Sequence, residues 1–352
     1  MRVALEATAL SISSGGLARY TSELSLALAR CFPDDQFFLI SDQPFAMPEG
    51  APPNLLRGGA PRNAIERRWW LWGILREMSR LHADLIHGPD FAVPYIPRYP
   101  SVLTLHDLSP WMDEKWHHAA DRVRGRTPLL LELGLATMII TPGESVRKQA
   151  IERFRLRPER VVAVPEAAAS RFRPVPSLAR PPRDYFLFVG TLEPRKNIPE
   201  LVEAWREVRR EFPIDLVLAG RRRADFPEVA PEPGLQILGE VPDQQLSELY
   251  SSALAFVYPS LYEGFGLPVL EAMQCGACVI ASPAVKEVGG DAPLYASGIR
   301  ELADAMRLVL TNREVAFQRR TESLARAAQF SWESTARTTY DVYQEARRRF
   351  AE

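Results

Sequence analysis

The chain is poor in cysteine: Cys31, Cys275 and Cys278 are all it has. Three thiols cannot build a disulfide framework, and a reducing, cytoplasmic compartment fits best. Cys275 and Cys278 have Cys-x-x-Cys spacing, but a structural zinc normally takes four ligands and no second pair exists, so packing is the better reading. Long apolar runs are missing too. The best, residues 129–140, is 12 residues long and contains Glu132, well short of the ~18–20 that a membrane span needs. At the N-terminus, Glu6 interrupts any apolar segment of signal-peptide type. Neither sign of charge dominates: 43 Lys and Arg stand against 44 Asp and Glu. A general nucleic-acid binder carries a basic excess or stripe, so nucleic acid is not an expected partner.

What is present is an ordinary globular composition, 46% hydrophobic and 25% charged over 352 residues, enough for about two domains. Short apolar runs alternate with amphipathic stretches. Strands are expected over 2–6, 36–41, 83–86, 101–105, 137–141 and 160–164, with helices over 17–30, 63–80 and 144–154. The pattern then restarts. Strands are expected over 184–189, 214–219, 236–238, 254–258 and 278–281, with helices over 198–211, 243–250 and 267–273. Helical patterns dominate from Gly298 onward. Such alternation implies parallel sheets covered by helices on both faces. Pro165, Pro174, Pro176, Pro181 and Pro182 crowd between the halves, and proline neither continues a helix nor donates within a central strand. The expected organisation is α/β: two doubly wound Rossmann-like domains facing across a cleft. Residues 1–165 form the first, 166–183 a linker and 184–330 the second, with 331–352 a helix that is a candidate to cross back to the first domain.

Ligands of doubly wound sheets bind beyond the carboxyl ends of the strands. Several polar or glycine-rich groups stand at such positions: Gly15-Gly16, His87, His106-Asp107, Arg195-Lys196 and the segment Glu263-Gly264-Phe265-Gly266. The last leads into Leu267-Pro268, and proline suits the first turn of a helix. A helix starting near Leu267 offers free N–H groups and a positive dipole end, a natural seat for phosphate. Arg195 and Lys196 add two cations able to neutralise a leaving diphosphate. Glu263 and Glu271 can accept hydrogen bonds from sugar or ribose hydroxyls. Taken singly, each has a plain alternative: acids suit a helix start, and a loop of cations is usually solvated.

Together these residues resemble a family. Phe188-Val189-Gly190-Thr191-Leu192-Glu193-Pro194-Arg195-Lys196-Asn197, the Glu-x7-Glu pair Glu263 and Glu271, Gly239-Glu240-Val241, the Gly15-Gly16-Leu17-Ala18-Arg19-Tyr20 loop and Thr104-Leu105-His106-Asp107-Leu108 are similar to GT4, the large family of retaining glycosyltransferases with the GT-B fold. The resemblance covers nearly the whole chain and is most specific in the second half. It implies a hexosyltransferase of cell-surface polysaccharide synthesis, taking its sugar from a nucleotide diphosphate sugar. GDP-mannose is the expected donor by resemblance to bacterial surface-polysaccharide mannosyltransferases, with UDP-sugars open. The acceptor would be a saccharide or a lipid-linked saccharide. Glu271 would hold the ribose; Arg195, Lys196 and the amides near Gly266 and Leu267 would hold the diphosphate. Glu263, Gly264 and Phe265 would hold the donor sugar, and Val241 would face the base. Gly190 belongs to the same donor-binding set. Gly15 and Gly16 would approach the phosphate, and His106 would contact the sugar near the reacting carbon. The catalytic set implied is His106, Arg195, Lys196 and Glu263. Neither a cofactor nor a metal is expected, and no Asp-x-Asp motif follows a predicted strand.

Two departures stand out. Where the family usually has an Asn-Gly turn after Val164-Pro165, this chain has Glu166-Ala167-Ala168-Ala169. The stretch 282–287 looks shorter than usual. Arg221-Arg222-Arg223 reads as a solvated loop that could assist an anion. Arg67-Arg68-Trp69-Trp70-Leu71-Trp72 has the composition of a helix lying on the inner membrane, and equally of one packed on its own sheet. The same architecture would also serve a sugar-nucleotide epimerase, a phosphorylase or a non-catalytic sugar-nucleotide binder.

Overall fold

The computed structural model describes residues 1–352 except 12–14, 117–119, 176–182, 225, 228–229 and 231. Pro176, Pro181 and Pro182 of the expected linker lie outside the described residues. The chain divides into two compact units, Met1–Glu166 with Ser331–Glu352, and Ala167–Phe330.

Unit 1 is built on seven strands: β1 (Arg2–Glu6), β2 (Gln36–Ile40), β3 (Leu55–Arg57), β4 (Leu85–Gly88), β5 (Ser101–Thr104), β6 (Met138–Thr141) and β7 (Val161–Ala163). All neighbours pair parallel, in the order β3-β2-β1-β4-β5-β6-β7. Strands such as Phe37-Phe38-Leu39-Ile40 are buried throughout, as a parallel sheet covered on both faces requires. The chain leaves β1 toward β2 and β3, then resumes on the other side with β4. The switch point of the sheet therefore lies between β1 and β4, where a ligand crevice forms. The C-terminal helix Trp332–Ala351 belongs to this unit. It lies on β5, β6 and the helix Gly16–Cys31, and the Thr335 hydroxyl donates to Pro165 O at 2.7 Å.

Unit 2 has six strands: β8 (Tyr185–Val189), β9 (Asp215–Ala219), β10 (Leu235–Gly239), β11 (Ala255–Tyr258), β12 (Val279–Ala281) and β13 (Leu294–Tyr295). They are parallel in the order β10-β9-β8-β11-β12-β13, with the switch between β8 and β11. Residues 167–172, read from the sequence as linker, fold onto this unit. Ala168, Ala169 and Phe172 are part of its core, and Gln274 donates to Ala169 O and Phe172 O.

The helix expected over 63–80 begins only at Ile74 and ends at Leu81. Before it, Asn63 Oδ1 accepts from the Ile65 and Glu66 amides, and Trp69–Gly73 forms a wide π-turn. The tryptophans here pack more than they reach outward. Trp69 is buried with Ala4, Phe38, Ile40 and Ile74, and Trp70 lies partly buried on the same cluster; Trp72 alone of the three is exposed. Among the described residues no helix is long and apolar enough to cross a membrane.

Trp69 Nε1 donates at 3.2 Å to Glu6 Oε1, at the carboxyl end of β1. Burial pushes the Glu6 carboxyl up to about 7, against the hydrogen bonds from Thr8 and Trp69 that favour its charge. Because the folded state holds this proton to higher pH than the unfolded chain, unit 1 loses stability as pH rises from about 4.5 toward 7. Glu6→Gln should flatten that slope. Urea unfolding midpoints measured across this range check it; an unchanged slope in the variant would refute the assignment.

Candidate active site

Three of the expected residues meet at the switch point of unit 2. After β8, Gly190 has φ 152°, and the neighbouring Gly220 approaches so closely that a Cβ there would lie 2.0 Å from Gly190 O. This tight passage carries the chain into the turn Pro194–Lys196, which delivers two buried cations. After β11, the loop of residues 259–266 delivers Glu263. Arg195 Nη1 lies 3.1 Å from Glu263 Oε2, and Lys196 Nζ lies 2.6 Å from Glu263 Oε1. The loops are tied together through the backbone as well: Arg195 Nη1 donates to Tyr262 O at 2.8 Å, and Leu261 N donates to Arg195 O at 2.9 Å.

The ionic contacts continue beyond these three. Arg195 Nη2 donates to Glu193 Oε1 at 2.9 Å, and Arg223 Nη1 lies 3.1 Å from Glu193 Oε2. Lys196 Nζ also donates to the Tyr258 hydroxyl at 2.6 Å. Arg223, Arg195 and Lys196 thus alternate with Glu193 and Glu263. Arg223, read as part of a solvated loop, is instead anchored in this network. In the sequence, Glu193 stands inside the family motif without a role of its own, and Tyr258 reads as a strand residue; only their neighbourhood in space shows what they do.

Burial alone would raise the Glu263 carboxyl, but the charges of Arg195 and Lys196 hold it down at about 2. Lys196 moves the other way. Burial and the adjacent Arg195 lower its ammonium below the usual lysine range, with Glu263 opposing. Glu263 is therefore held ionised by the cations it touches before any ligand arrives.

Gly266, at φ 97°, leads from this loop into the helix Leu267–Gln274, which has Pro268 in its first turn. A Cβ on Gly266 would lie 2.9 Å from Val285 Cγ1, so glycine is needed for both its backbone angle and its contact. Glu271 sits in the helix, 1% exposed, with its Oε2 accepting from Tyr250 OH at 3.2 Å. Val241 comes after β10, partly buried against the core. Gly264 and Phe265 lie in the loop between Glu263 and the helix, and Phe265 packs edge-on to Phe330.

In unit 1, Gly15 precedes the helix Gly16–Cys31 as its N-cap. His106 comes after β5. Its Nε2 bonds Pro89 O at 2.7 Å, its Nδ1 faces Glu166 Oε1 at 3.2 Å, and its ring meets Tyr20 edge-on at 4.6 Å. His87 is buried and structural, held by Thr104 Oγ1 and Tyr343 OH, each at 2.7 Å. Cys275 and Cys278 are unpaired and buried in the core of unit 2.

Comparison with known proteins identifies the family. The family described as Glycosyltransferase Family 4 matches residues 14–169, and that described as Glycosyl transferases group 1 matches residues 183–312. The chain is 36% identical over 289 residues to O-antigen chain mannosyltransferase B of Escherichia coli, covering 74% of each chain. The chain belongs to glycosyltransferase family 4. It is also 29% identical to the serotype-specific mannosyltransferase WbdA of Escherichia coli, over 68% of this chain but 32% of that protein. The fold of this GT4 member, two parallel-sheet Rossmann-like units of GT-B type, matches that of sucrose-phosphate synthase from Thermosynechococcus elongatus. That match has a TM-score of 0.74 at 20% identity, covering 98% of each chain.

Removing Glu263 would leave Arg195 and Lys196 buried without their shared counter-charge. Glu263→Ala should destabilise ligand-free unit 2 by about 3–5 kcal/mol, and added inorganic pyrophosphate should recover part of the loss. In the wild type, the contribution of Glu263 is complete above about 4.5 and disappears as pH falls toward 2. Urea unfolding with and without pyrophosphate measures the first effect, and acid unfolding of wild type against variant the second. A variant as stable as wild type at pH 7 would show that the cations do not depend on the acid.

Proposed function

We propose that this GT4 glycosyltransferase moves a hexose from a nucleotide diphosphate sugar to a saccharide or lipid-linked acceptor in surface-polysaccharide synthesis, with retention of configuration and without a metal. Mannose from GDP-mannose is the first candidate, because the two Escherichia coli relatives are mannosyltransferases. An epimerase or phosphorylase reading is not favoured. The observation that carries the proposal is the Arg195–Glu263–Lys196 cluster at the β8/β11 switch, whose Glu263 lies in the loop that leads into the helix Leu267–Gln274.

The cluster can exchange partners. A diphosphate brings more negative charge than one carboxylate, so Arg195 and Lys196 turn to it as it enters. Glu263 is then released to accept hydroxyls of the donor sugar, with the Gly264 and Phe265 backbone beside it. First-turn amides at Gly266 and Leu267 complete the diphosphate seat, Glu271 takes the ribose, Val241 faces the base, and Gly190 leaves room for the backbone to approach. The resemblance adds His106, Gly15 and Gly16 from unit 1. As the glycosidic bond breaks, charge grows on the leaving phosphate, where fixed cations stabilise it most. Attack from the same face, with that phosphate taking the acceptor proton, retains the configuration and asks for no metal.

The donor should raise the melting temperature selectively, since a ligand that binds only the folded state stabilises it. A thermal-shift panel of GDP-mannose and UDP-sugars selects it. With the selected donor, Lys196→Met and Glu263→Gln should each lower kcat/KM by roughly 100-fold or more. A chelator should leave transfer unchanged, and NMR of the product should show the donor's anomeric configuration. Near wild-type transfer by both variants would defeat the assignment.

A further inference from the structure

Glu166 stands where the family usually has an asparagine turn, and it is buried beside His106. The protons of this contact can be counted. Pro89 O can only accept, so His106 Nε2 carries a hydrogen and donates. On a neutral ring, Nδ1 would then turn a lone pair toward Glu166 Oε1 at 3.2 Å. The contact therefore needs a second proton, on the ring or on the carboxyl.

The surroundings decide where it rests. Asp90, in the loop after β4, adds negative potential at the ring. Tyr20, on the helix Gly16–Cys31, is held neutral by burial well above the usual phenol range. His87, on β4, is pushed down by burial to about 3 and so is neutral. Arg126 faces Asp90 and favours its charge, against the burial that raises it. Burial by itself would lower His106, but Glu166 and Asp90 outweigh it and raise the ring above the ordinary histidine value. An asparagine in place of Glu166 could bond the ring but bring no charge to hold a second proton on it.

We propose that Glu166 is a positioning residue for transfer, fixing His106 as an imidazolium and so giving the carboxyl edge of the unit 1 sheet a standing positive charge. Both ring N–H groups are held by the protein, so His106 acts through its charge and not as a proton donor to the acceptor. This rests on the place that the proposed function gives to His106 in transfer. The charge is present below the raised ring pKa and lost above it, so the effect of removing Glu166 grows with pH.

The test pairs two measurements on the full-length chain. NMR titration of the His106 ring, without ligand, compares wild type with Glu166→Gln, which keeps the shape but not the charge. The ring should lose its proton at least about one pH unit earlier in the variant. Transfer kinetics with the selected donor should then show kcat of Glu166→Gln near wild type at pH 6 and about tenfold lower at pH 8, with donor KM within about twofold. Glu166→Asp should recover part of the loss. An identical titration in wild type and Glu166→Gln overturns the proposal. A shifted titration with an unmoved pH profile overturns its catalytic half and removes His106 from transfer. Should the wild type turn over no nucleotide sugar, the transferase reading fails, and the titration still decides whether Glu166 charges the ring.

Discussion

The site in unit 2 depends on keeping two cations dry. Lys196 and Arg195 lie in a turn that is nearly closed to water, and an isolated ammonium or guanidinium there would be strongly unfavourable. Glu263 and Glu193 make the arrangement tenable. They are joined to the cations at 2.6–3.1 Å from two loops that extend from adjacent parallel strands. The sheet order supplies the adjacency: β8 and β11 are neighbours only because the chain crosses over between them. Place these strands apart and the charges would be buried singly. The packing of Tyr258 against Phe188 and Phe256 extends the same logic, since its ring wall also turns its hydroxyl to Lys196.

Much of this is legible in the sequence because parallel strands announce themselves. Runs such as Phe186-Leu187-Phe188-Val189 are apolar on both faces, and the residues just after each run must stand at the carboxyl edge. Arg195, Lys196, Glu263 and the helix at Leu267 emerge as one neighbourhood in this way. The strands β3 and β13 do not emerge, because their three and two residues are too few for any periodicity. Nor does the helix Asp121–Glu132, where Gly125 and Pro128 interrupt the pattern. Residues 63–73 mislead, since a helical spacing of apolar residues cannot reveal a π-turn. Glu193, Arg223 and Glu166 are hidden for another reason. Charged residues outside a strand read as solvated, and the contacts Arg223–Glu193 and Glu166–His106, 30 and 60 residues apart in sequence, leave no local trace.

The two sheets share a build but carry different chemistry at their carboxyl edges. In unit 2 Glu263 is held ionised by the cations it touches. In unit 1 the groups are carboxyls and imidazoles whose charge depends on surroundings: Glu6 is pushed up toward neutrality, His87 is pushed down, and His106 is raised by Glu166. Burial drives the first two toward their neutral forms and loses only at His106, because there a carboxylate and a carbonyl oxygen both face ring nitrogens.

That contrast bears on how the proposed transfer would begin. A cation cluster already paired with carboxylates would hold its shape without ligand, yet would yield to an entering diphosphate, because the incoming charge would exceed that of the carboxylate it replaces. The carboxylate displaced would be Glu263, placed one residue before Gly264 and Phe265, which would lie beside the sugar. Entry of the diphosphate and freeing of the sugar's hydrogen-bond acceptor would then be a single event. A substrate lacking the diphosphate could not trigger it, however well its sugar fitted. Selectivity for an activated sugar would follow from ion exchange within the cluster, and the identity of the sugar from what Glu263 finds once released.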